Sequence, residues 1–219
     1  MERDEYLARW GELHGMDPRS NGVVHWWLGL VHAMATPFVR VGASPDAVTL
    51  VGLGVSLLAL PCAWLGGHWL LGAAIAVFAS GITDNLDGAV AVMTGRATRW
   101  GAVLDSACDR IGDMVFLVAL WLAGAPAAAC VAAAGLTFLQ EYVRARAAAG
   151  GMSEVGVVSV WERPSRVLVV GMFLLAAGLH PGWAGWLLLT AAWASFGLAV
   201  VGLVQVTVTV RRRLLRPPS

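Results

Sequence analysis

The sequence contains no lysine, and charged residues fill only 13% of its 219 positions. A soluble globular domain usually carries about 25% charged residues, so this composition argues against that class. Hydrophobic residues make up 58% of the chain, which favours an integral membrane protein. The net charge is +1, so no strong basic field suggests that the protein binds nucleic acid.

Cysteine is also scarce. The three cysteines, Cys62, Cys108 and Cys130, lie in apolar segments and show no paired spacing. This pattern argues against a disulfide framework and against a zinc site built on cysteine pairs. We expect buried, unreactive thiols.

Six segments are apolar and close to the length of about 20 residues that a helix needs to cross a bilayer. Short Gly/Pro turns without arginine, aspartate or glutamate follow the first, third and fifth of them. We therefore predict an all-α integral membrane protein with six transmembrane helices. The predicted spans are 47–65, 69–92, 101–122, 126–147, 165–180 and 183–208.

The arginines predict the orientation of these spans. All fifteen lie in the N-terminal segment, in the other connections, in the C-terminal tail or at the adjoining span ends. Because arginine accumulates on the cytoplasmic side of membranes, we predict a multi-pass cell-membrane protein with both termini in the cytoplasm. Tryptophans near the predicted span ends are typical of interfacial belts; they are Trp64, Trp69, Trp121, Trp183 and Trp186 outside, and Trp26, Trp27, Trp100 and Trp161 inside.

The segment 23–41 is long enough to span, but it contains two histidines and Pro37. We predict that it is an amphipathic helix lying in the cytoplasmic interface. If it spanned the membrane instead, the N-terminus would move outside together with three arginines. The expected organisation is an interfacial N-terminal segment (1–43), a six-helix membrane domain (44–210) and a basic tail (211–219) that contacts anionic lipids or fixes topology.

Four aspartates lie on the second and third predicted spans. Asp84 and Asp87 are three residues apart, and Asp105 and Asp109 are four apart, so each pair shares one helix face. The two spans are antiparallel and joined by a short loop, which places the pairs at similar depth near the cytoplasmic side. We expect the four carboxylates to form one cluster.

Four adjacent carboxylates repel one another unless cations compensate them. Oxygen ligands suit Mg²⁺ or Mn²⁺, and two such ions about 4 Å apart can clamp a transferring phosphoryl group. Gly88 and Gly101 lie beside the aspartates and leave room for a substrate because they have no side chain. Asp113 continues the same face, and we expect it to pair within the protein.

This arrangement resembles the CDP-alcohol phosphotransferase family, whose signature is DxxDGxxAR followed after about eight residues by GxxxDxxxD. Members are integral membrane enzymes with six spans, and they are commonly homodimers. The matching positions are Asp84, Asp87, Gly88, Ala91, Gly101, Asp105 and Asp109.

The resemblance implies a mechanism with two Mg²⁺ or Mn²⁺ ions. Asp84, Asp87 and Asp105 would ligand the metals, and Asp109 would complete the second metal site and act as general base on the acceptor hydroxyl. That oxygen would attack the β-phosphorus of a CDP-linked lipid such as CDP-diacylglycerol, and CMP would leave.

The resemblance also implies that the nucleotide lies against the motif glycines and the start of the first span. The candidate contacts to the CDP-lipid are Asp46, Thr49, Gly88, Arg96, Thr98 and Gly101. An N-terminal cap of the first span is the alternative role for Asp46 and Thr49.

Within the family, the segments "LDSACDRIGD", "EYVRARA" and "ERPSR" look most like the actinobacterial phosphatidylinositol phosphate synthases. This resemblance implies inositol phosphate as the acceptor. Arginine binds phosphate through paired hydrogen bonds, and the candidates are Arg144, Arg146, Arg163 and Arg166. The alternatives are that these arginines follow the positive-inside rule alone, or that Glu141 and Glu162 are their salt-bridge partners.

The signature arginine is replaced by Val92. Arg96 lies four residues later and could reach the diphosphate if the helix continued that far. Three alternatives stay open from the sequence: the same chemistry on glycerol 3-phosphate or another small alcohol, a transporter that uses intramembrane aspartates, and a non-catalytic membrane protein.

Overall fold

The computed structural model describes residues 1–152 and 158–215, and within these ranges the chain forms nine α-helices and no β-strand. The last four residues of the predicted tail therefore lie outside the described residues. The helices are α1 (Arg3–His14), α2 (Gly22–Arg40), α3 (Pro45–Leu57), α4 (Ala59–Leu65), α5 (Leu70–Thr94), α6 (Arg99–Leu122), α7 (Ala127–Ala149), α8 (Arg163–Leu179) and α9 (Ala184–Leu214).

Five of the six predicted spans each correspond to one continuous helix, from α5 to α9. The first is divided at Leu58 into α3 and α4. Pro61 explains the division, because it lacks the amide hydrogen that would bond to the carbonyl of Leu57. Within the described ranges, three helical stretches are long and apolar enough to cross a membrane, namely Pro45–Leu65, Gly67–Thr94 and Pro181–Leu214.

The predicted Gly/Pro turns are present as sharp reversals of the chain. Gly66, Gly67 and Gly124 have positive φ angles of 65°, 55° and 113°, a backbone conformation that favours glycine. The last of these turns is a 3-10 helix, Pro181–Trp183.

The chain divides into two compact units. Unit 1 comprises residues 1–55 and 79–109, and unit 2 comprises residues 56–78 and the described residues from 110 onward. Helices α5 and α6 each contribute residues to both units.

In unit 1, α1 and α2 pack together and share a hydrophobic core with α3 and the C-terminal half of α5. Helix α2 begins after Asn21, whose side-chain oxygen accepts hydrogen bonds from the amides of Val23 and Val24 at 3.0 and 3.4 Å. Tyr6 of α1 is 1% exposed. Burial raises the pKa of Tyr6 to about 12, so the phenol stays neutral.

In unit 2, α9 packs against α7 and α8, and the core is built mainly from leucine, valine and alanine. Trp161 is only 1% exposed, and its indole Nε1 donates a hydrogen bond to Thr137 at 2.8 Å. The expectation that Trp161 belongs to an interfacial belt is therefore wrong. The exposed tryptophans include Trp26, Trp64, Trp69, Trp100, Trp121, Trp183 and Trp186.

Candidate metal centre

The candidate site lies in unit 1, where the C-terminal half of α5 meets the first turns of α6. Helix α5 ends in a Schellman motif: Gly95 has a φ of 66°, Arg96 N donates to the carbonyl of Ala91 at 3.1 Å, and Gly95 N donates to Val92 at 3.4 Å. Helix α6 then begins after Thr98, whose hydroxyl accepts a hydrogen bond from Gly101 N at 2.9 Å, as an N-cap does. These two caps fix a short loop between the helices that carry the motif aspartates.

Three carboxylates meet across this helix pair. Asp84 of α5 and Asp105 and Asp109 of α6 each offer an oxygen, and these oxygens all lie within 4.8 Å of one another. All three side chains are partly accessible. Their spacing on two antiparallel helices, which the sequence predicts, is the reason they converge.

Asp87 is not part of that three-carboxylate group. Its Oδ2 accepts a hydrogen bond from the Thr49 hydroxyl at 2.6 Å, and its Oδ1 accepts one from Gly88 N at 2.5 Å. Asp87 is 6% exposed. The structure thus brings together three of the four predicted carboxylates and gives the fourth a hydrogen-bonded position one helical turn along α5.

A cavity of about 180 Å³ adjoins the aspartates in unit 1. Asp87 and Asp105 line it, so it is continuous with the acidic residues. All six predicted contacts to the CDP-lipid are among its lining residues, which are Pro45, Asp46, Thr49, Asp87, Gly88, Ala91, Arg96, Ala97, Thr98, Gly101, Ala102 and Asp105.

The two motif glycines differ in their surroundings. A Cβ atom on Gly88 would meet nothing within 4 Å, so this glycine leaves open space at the cavity. A Cβ atom on Gly101 would lie 3.2 Å from Asp46 Oδ1 and 3.1 Å from Thr98 Oγ1. Gly101 therefore allows Asp46 to lie close to the start of α6.

Arg96 reaches the cavity by a route other than the expected one. A reach from within α5 requires this helix to continue through residue 96, but the helix ends at Thr94. Arg96 is an exposed loop residue, and it lines the cavity from there. Val92, at the position of the signature arginine, is 9% exposed and belongs to the hydrophobic core of unit 1.

Three of the predicted phosphate-binding arginines lie in an ion-pair network in unit 2. Arg166 donates to Asp113 Oδ2 at 2.6 Å and to Glu141 Oε1 at 2.8 Å. Arg144 pairs with Glu162 and lies 3.4 Å from Glu141. Salt-bridge partners are thus present for both arginines, as one alternative from the sequence held, and the expected internal pairing of Asp113 is confirmed.

Arg163 is the third predicted arginine of this network, and Arg146 lies outside it among the described residues. Arg163 Nη1 lies 3.8 Å from Asp113 Oδ1, a looser contact within the same network. Arg146, in the last turn of α7, is exposed. Burial alone would raise the pKa of Glu162, but hydrogen bonds from Arg144 and Ser159 outweigh this effect and lower it below its usual value. Glu162 therefore remains a carboxylate that compensates Arg144.

The donor set of the acidic group suits a hard divalent cation. Carboxylate oxygens without nitrogen or sulfur ligands favour Mg²⁺ or Mn²⁺, and three oxygens within 4.8 Å can share one ion or bridge two. A phosphate-containing ligand in the adjoining cavity would meet this charge directly. The geometry is therefore suited to phosphoryl transfer.

Sequence reasoning did not single out several small residues of the cavity wall. Pro45, Ala97 and Ala102 line it, but small apolar residues carry no chemical signal in a sequence rich in alanine. Only their closeness to the motif positions along the chain could have indicated them.

Comparison with known proteins places this chain in a family. The family model described as CDP-alcohol phosphatidyltransferase matches residues 43–207. A phosphatidylinositol phosphate synthase of Mycobacteroides abscessus is 37% identical over 186 residues, which cover 81% of this chain and 80% of that protein. The corresponding synthase of Cutibacterium acnes is 33% identical over 201 residues, which cover 85% of this chain and 94% of that protein.

Solved structures agree with these relatives. The crystal structure of Mycobacterium tuberculosis phosphatidylinositol phosphate synthase with CDP-DAG bound matches with a TM-score of 0.70 and 29% identity, covering 86% of this chain and 98% of that one. The same synthase in complex with manganese and citrate matches with a TM-score of 0.71.

Proposed function

The chain belongs to the CDP-alcohol phosphatidyltransferase family, and from this premise we propose that it transfers the phosphatidyl group of CDP-diacylglycerol to an inositol phosphate and releases CMP. The observation that carries the proposal is the convergence of Asp84, Asp105 and Asp109 beside a cavity that Asp105 also lines. The relatives named phosphatidylinositol phosphate synthase support this choice of acceptor.

We propose that Asp84, Asp105 and Asp109 hold two Mg²⁺ or Mn²⁺ ions, with Asp87 completing the ligand set. The manganese bound to the M. tuberculosis synthase supports this assignment. When bound, the ions would supply positive charge that stabilises the diphosphate and the departing CMP.

Asp109 is the proposed general base. It would accept the proton of the acceptor hydroxyl as that oxygen forms a bond to the β-phosphorus of CDP-diacylglycerol. The bond between the β-phosphorus and the bridging oxygen would break, and CMP would leave with the bonding electrons. General base catalysis is worth roughly 10²–10⁴-fold, so most of the acceleration would come from charge and positioning.

The cavity residues are proposed to hold the nucleotide part of the donor. Gly88 leaves open space there, and Asp46 and Thr98 lie near Gly101 with polar atoms available to a base or ribose. Arg96 is the proposed contact to the diphosphate, since it is the cation that lines this cavity among the described residues. Thr49 would act mainly through its hydrogen bond to Asp87.

We propose that the phosphate of the acceptor is bound by arginines of unit 2, chosen from Arg144, Arg146, Arg163 and Arg166. Arg146 is the most accessible candidate because it is exposed, whereas Arg166 and Arg144 already bond closely to carboxylates. A planar guanidinium matches a phosphate through two parallel hydrogen bonds.

The membrane arrangement is also a proposal. The helices that cover the six predicted segments would form a multi-pass domain over residues 44–210, with α2 lying in the interface and both termini in the cytoplasm. The one-sided distribution of arginine supports this orientation. Membership of the family supports a homodimer.

The test is a measurement of CMP release by the purified protein with CDP-diacylglycerol, Mg²⁺ or Mn²⁺, and either inositol 1-phosphate, inositol or glycerol 3-phosphate. We expect release that depends on inositol 1-phosphate and that disappears after chelation of the metal. Asp109→Asn should reduce the rate by about 10²-fold or more.

Asp4→Asn is the matched control for Asp109→Asn. It removes one carboxylate of the same type, and Asp4 is an exposed residue of α1 whose ion pair with Arg19 measures 3.6 Å. Its rate should equal that of the parent protein. Release with glycerol 3-phosphate alone would reject inositol phosphate as the acceptor, and no acceptor-dependent release would reject the transferase function.

A further inference from the structure

Two arginines from different parts of unit 1 lie at the C-terminal end of α5. Arg96 follows Gly95 in the loop after this helix and lines the cavity. Arg9 belongs to α1, near the N-terminus, and its Nη2 atom would lie 3.7 Å from a Cβ atom built on Gly95. Two arginines that are 87 positions apart along the chain (9 and 96) thus bring positive charge to the same turn of backbone.

Packing fixes helix α1 at this place. Tyr6 is 1% exposed and Leu7 is fully buried in the core of unit 1. Arg3 Nη2 lies 3.3 Å from His25 Nε2, which ties the start of α1 to α2. Arg9 lies on the exposed side of the same helix. Its position near Gly95 therefore follows from the way α1 packs in unit 1.

Within residues 1–152 and 158–215, neither arginine is neutralised by a neighbouring carboxylate. Among the described residues, Arg9 and Arg96 form no ion pair within 4.0 Å. Glu5 and Glu12 lie four residues before and three residues after Arg9, at spacings that permit pairing on a helix, yet they do not pair with it. Arg19 of the same N-terminal region does pair, with Asp4 at 3.6 Å.

The residues around these two arginines are suited to one type of ligand. Arg96 shares the cavity with Asp87 and Asp105, so the cavity combines carboxylates suited to metal ions with a cation suited to phosphate oxygens. A nucleoside diphosphate bound with a divalent cation matches both features. Val92 on the last turns of α5 is buried in the apolar core, so this position adds no positive charge.

We propose that Arg9 and Arg96 together bind the diphosphate of the nucleotide-linked substrate, with Arg9 as a specificity residue that the N-terminal helix supplies. This inference rests on the proposed function, since it concerns the donor of the same reaction. It makes α1 part of the substrate site.

The test is the binding of soluble CDP and CMP, with Mg²⁺, to the purified full-length protein and to Arg9→Gln. CDP has the β-phosphate that CMP lacks, so the variant should bind CDP about tenfold more weakly and CMP nearly unchanged. Arg9→Lys should retain part of the affinity for CDP. In the transferase assay, Arg9→Gln should raise the KM for CDP-diacylglycerol and leave the KM for the acceptor unchanged.

Arg19→Gln is the matched control, because it removes an arginine from the same region that already has a carboxylate partner. Its affinity for CDP should match that of the parent protein. A positive charge near a helix C-terminus can also stabilise the helix alone. A lower melting temperature of Arg9→Gln with an unchanged ratio of CDP to CMP affinity would establish that role and overturn the proposal.

Lipid headgroups are the other source of phosphate. A second experiment distinguishes binding of a headgroup from binding of the nucleotide. The parent protein and Arg9→Gln are placed in nanodiscs of phosphatidylcholine with or without phosphatidylglycerol. If Arg9 binds the nucleotide, the parent protein and Arg9→Gln should differ in CDP affinity in both kinds of nanodisc. A difference that appears only with phosphatidylglycerol rejects the proposal. If the parent protein binds CDP through Arg9 but releases no CMP with any acceptor, the proposed function fails and the diphosphate site stands.

Discussion

Thr49 holds the carboxylate of Asp87 by a hydrogen bond. Its hydroxyl lies 2.6 Å from Asp87 Oδ2, and Asp87 stands outside the group of oxygens that Asp84, Asp105 and Asp109 form. A hydrogen bond of this length to a carboxylate fixes the orientation of its acceptor. Thr49 is thereby a candidate to orient a metal ligand as well as to contact the nucleotide.

Replacement of Thr49 tests this orienting role. Thr49→Val keeps the shape of the side chain and removes the donor to Asp87. Loss of a group that orients a ligand typically weakens metal binding about 10- to 100-fold, so we expect a weaker dissociation constant for Mn²⁺ in a titration followed by electron paramagnetic resonance.

Thr36→Val is the control for this measurement. Thr36 lies on α2 in unit 1, and its hydroxyl donates to the carbonyl of His32 at 2.8 Å. The substitution is chemically the same but affects only a backbone acceptor, so Mn²⁺ affinity should not change. Equal affinities for the Thr49 variant and the parent protein would show that Asp87 needs no partner to act as a ligand.

For single residues, the sequence predicts well which aspartates come together. It predicts less well which residues they pair with. The i, i+3 and i, i+4 spacings of the aspartates follow directly from helix geometry, and three of them meet as expected. The pairing of Asp113 was also expected, but its partner Arg166 is 53 residues away. Helix periodicity contains no information about such a contact.

Among the elements, α9 depends on a close approach that only glycine permits. A Cβ atom on Gly202 would lie 2.6 Å from Gln140 Oε1 and 2.8 Å from Trp161 Cβ. Gln140 in turn donates to Ser159 Oγ at 3.1 Å and to the carbonyl of Trp161 at 3.2 Å. Gly202 thus lets α9 pack onto α7 and the segment that leads into α8.

Gly202→Ala should therefore destabilise unit 2. The added methyl group forces Gln140 or Trp161 to move, and overpacking of a well-filled core typically costs about 1–3 kcal/mol. We expect a lower midpoint of thermal unfolding in detergent. Gly197→Ala on the same helix is the control, because a Cβ atom there meets nothing within 4 Å, and alanine should equal or exceed glycine in stability.

The two variants together give a clear comparison within one helix. If both melt at the temperature of the parent protein, the packing at Gly202 does not limit stability. If Gly197→Ala alone lowers the melting temperature, the face of α9 that carries Gly197 is the more tightly packed one, contrary to the structure.

The ends of the elements show what the sequence could indicate. The Gly/Pro turns predicted three connections correctly. Positive φ angles at Gly66, Gly67 and Gly124 need glycine in two of them, and Pro181 begins the 3-10 helix of the third. The end of α5 at Thr94 is also explained afterwards by Gly95, in a Schellman motif. The sequence alone leaves this end open, because a lone glycine in an apolar run is compatible with helix continuation as well as with a cap.

The two units organise their charged side chains differently. In unit 1, oxygens of Asp84, Asp105 and Asp109 lie within 4.8 Å of one another, which suits the binding of external cations. Unit 2 instead joins Arg110, Arg144 and Arg166 to Glu141, Glu162 and Asp113. The side chain of Asp113 is fully buried. A buried carboxylate requires a partner because removing its charge from water is costly.

The membrane topology is the property of the whole chain that most needs a test. Positive-inside distribution predicts that the connection between α8 and α9 lies outside and that the connection between α7 and α8 lies inside. Gly182 belongs to the first connection, and a Cβ atom there meets nothing within 4 Å. Ala148 lies exposed at the end of α7.

Cysteine labelling in intact cells would establish this topology. In a variant without Cys62, Cys108 and Cys130, a membrane-impermeant maleimide should react with Gly182→Cys in intact cells and with Ala148→Cys only after permeabilisation. Ser20→Cys, just before α2, decides the role of that helix. Labelling of Ser20→Cys only after permeabilisation is expected for an interfacial α2. Labelling in intact cells would mean that α2 spans the bilayer and carries Arg3, Arg9 and Arg19 outside, which would also remove Arg9 from a cytoplasmic substrate site.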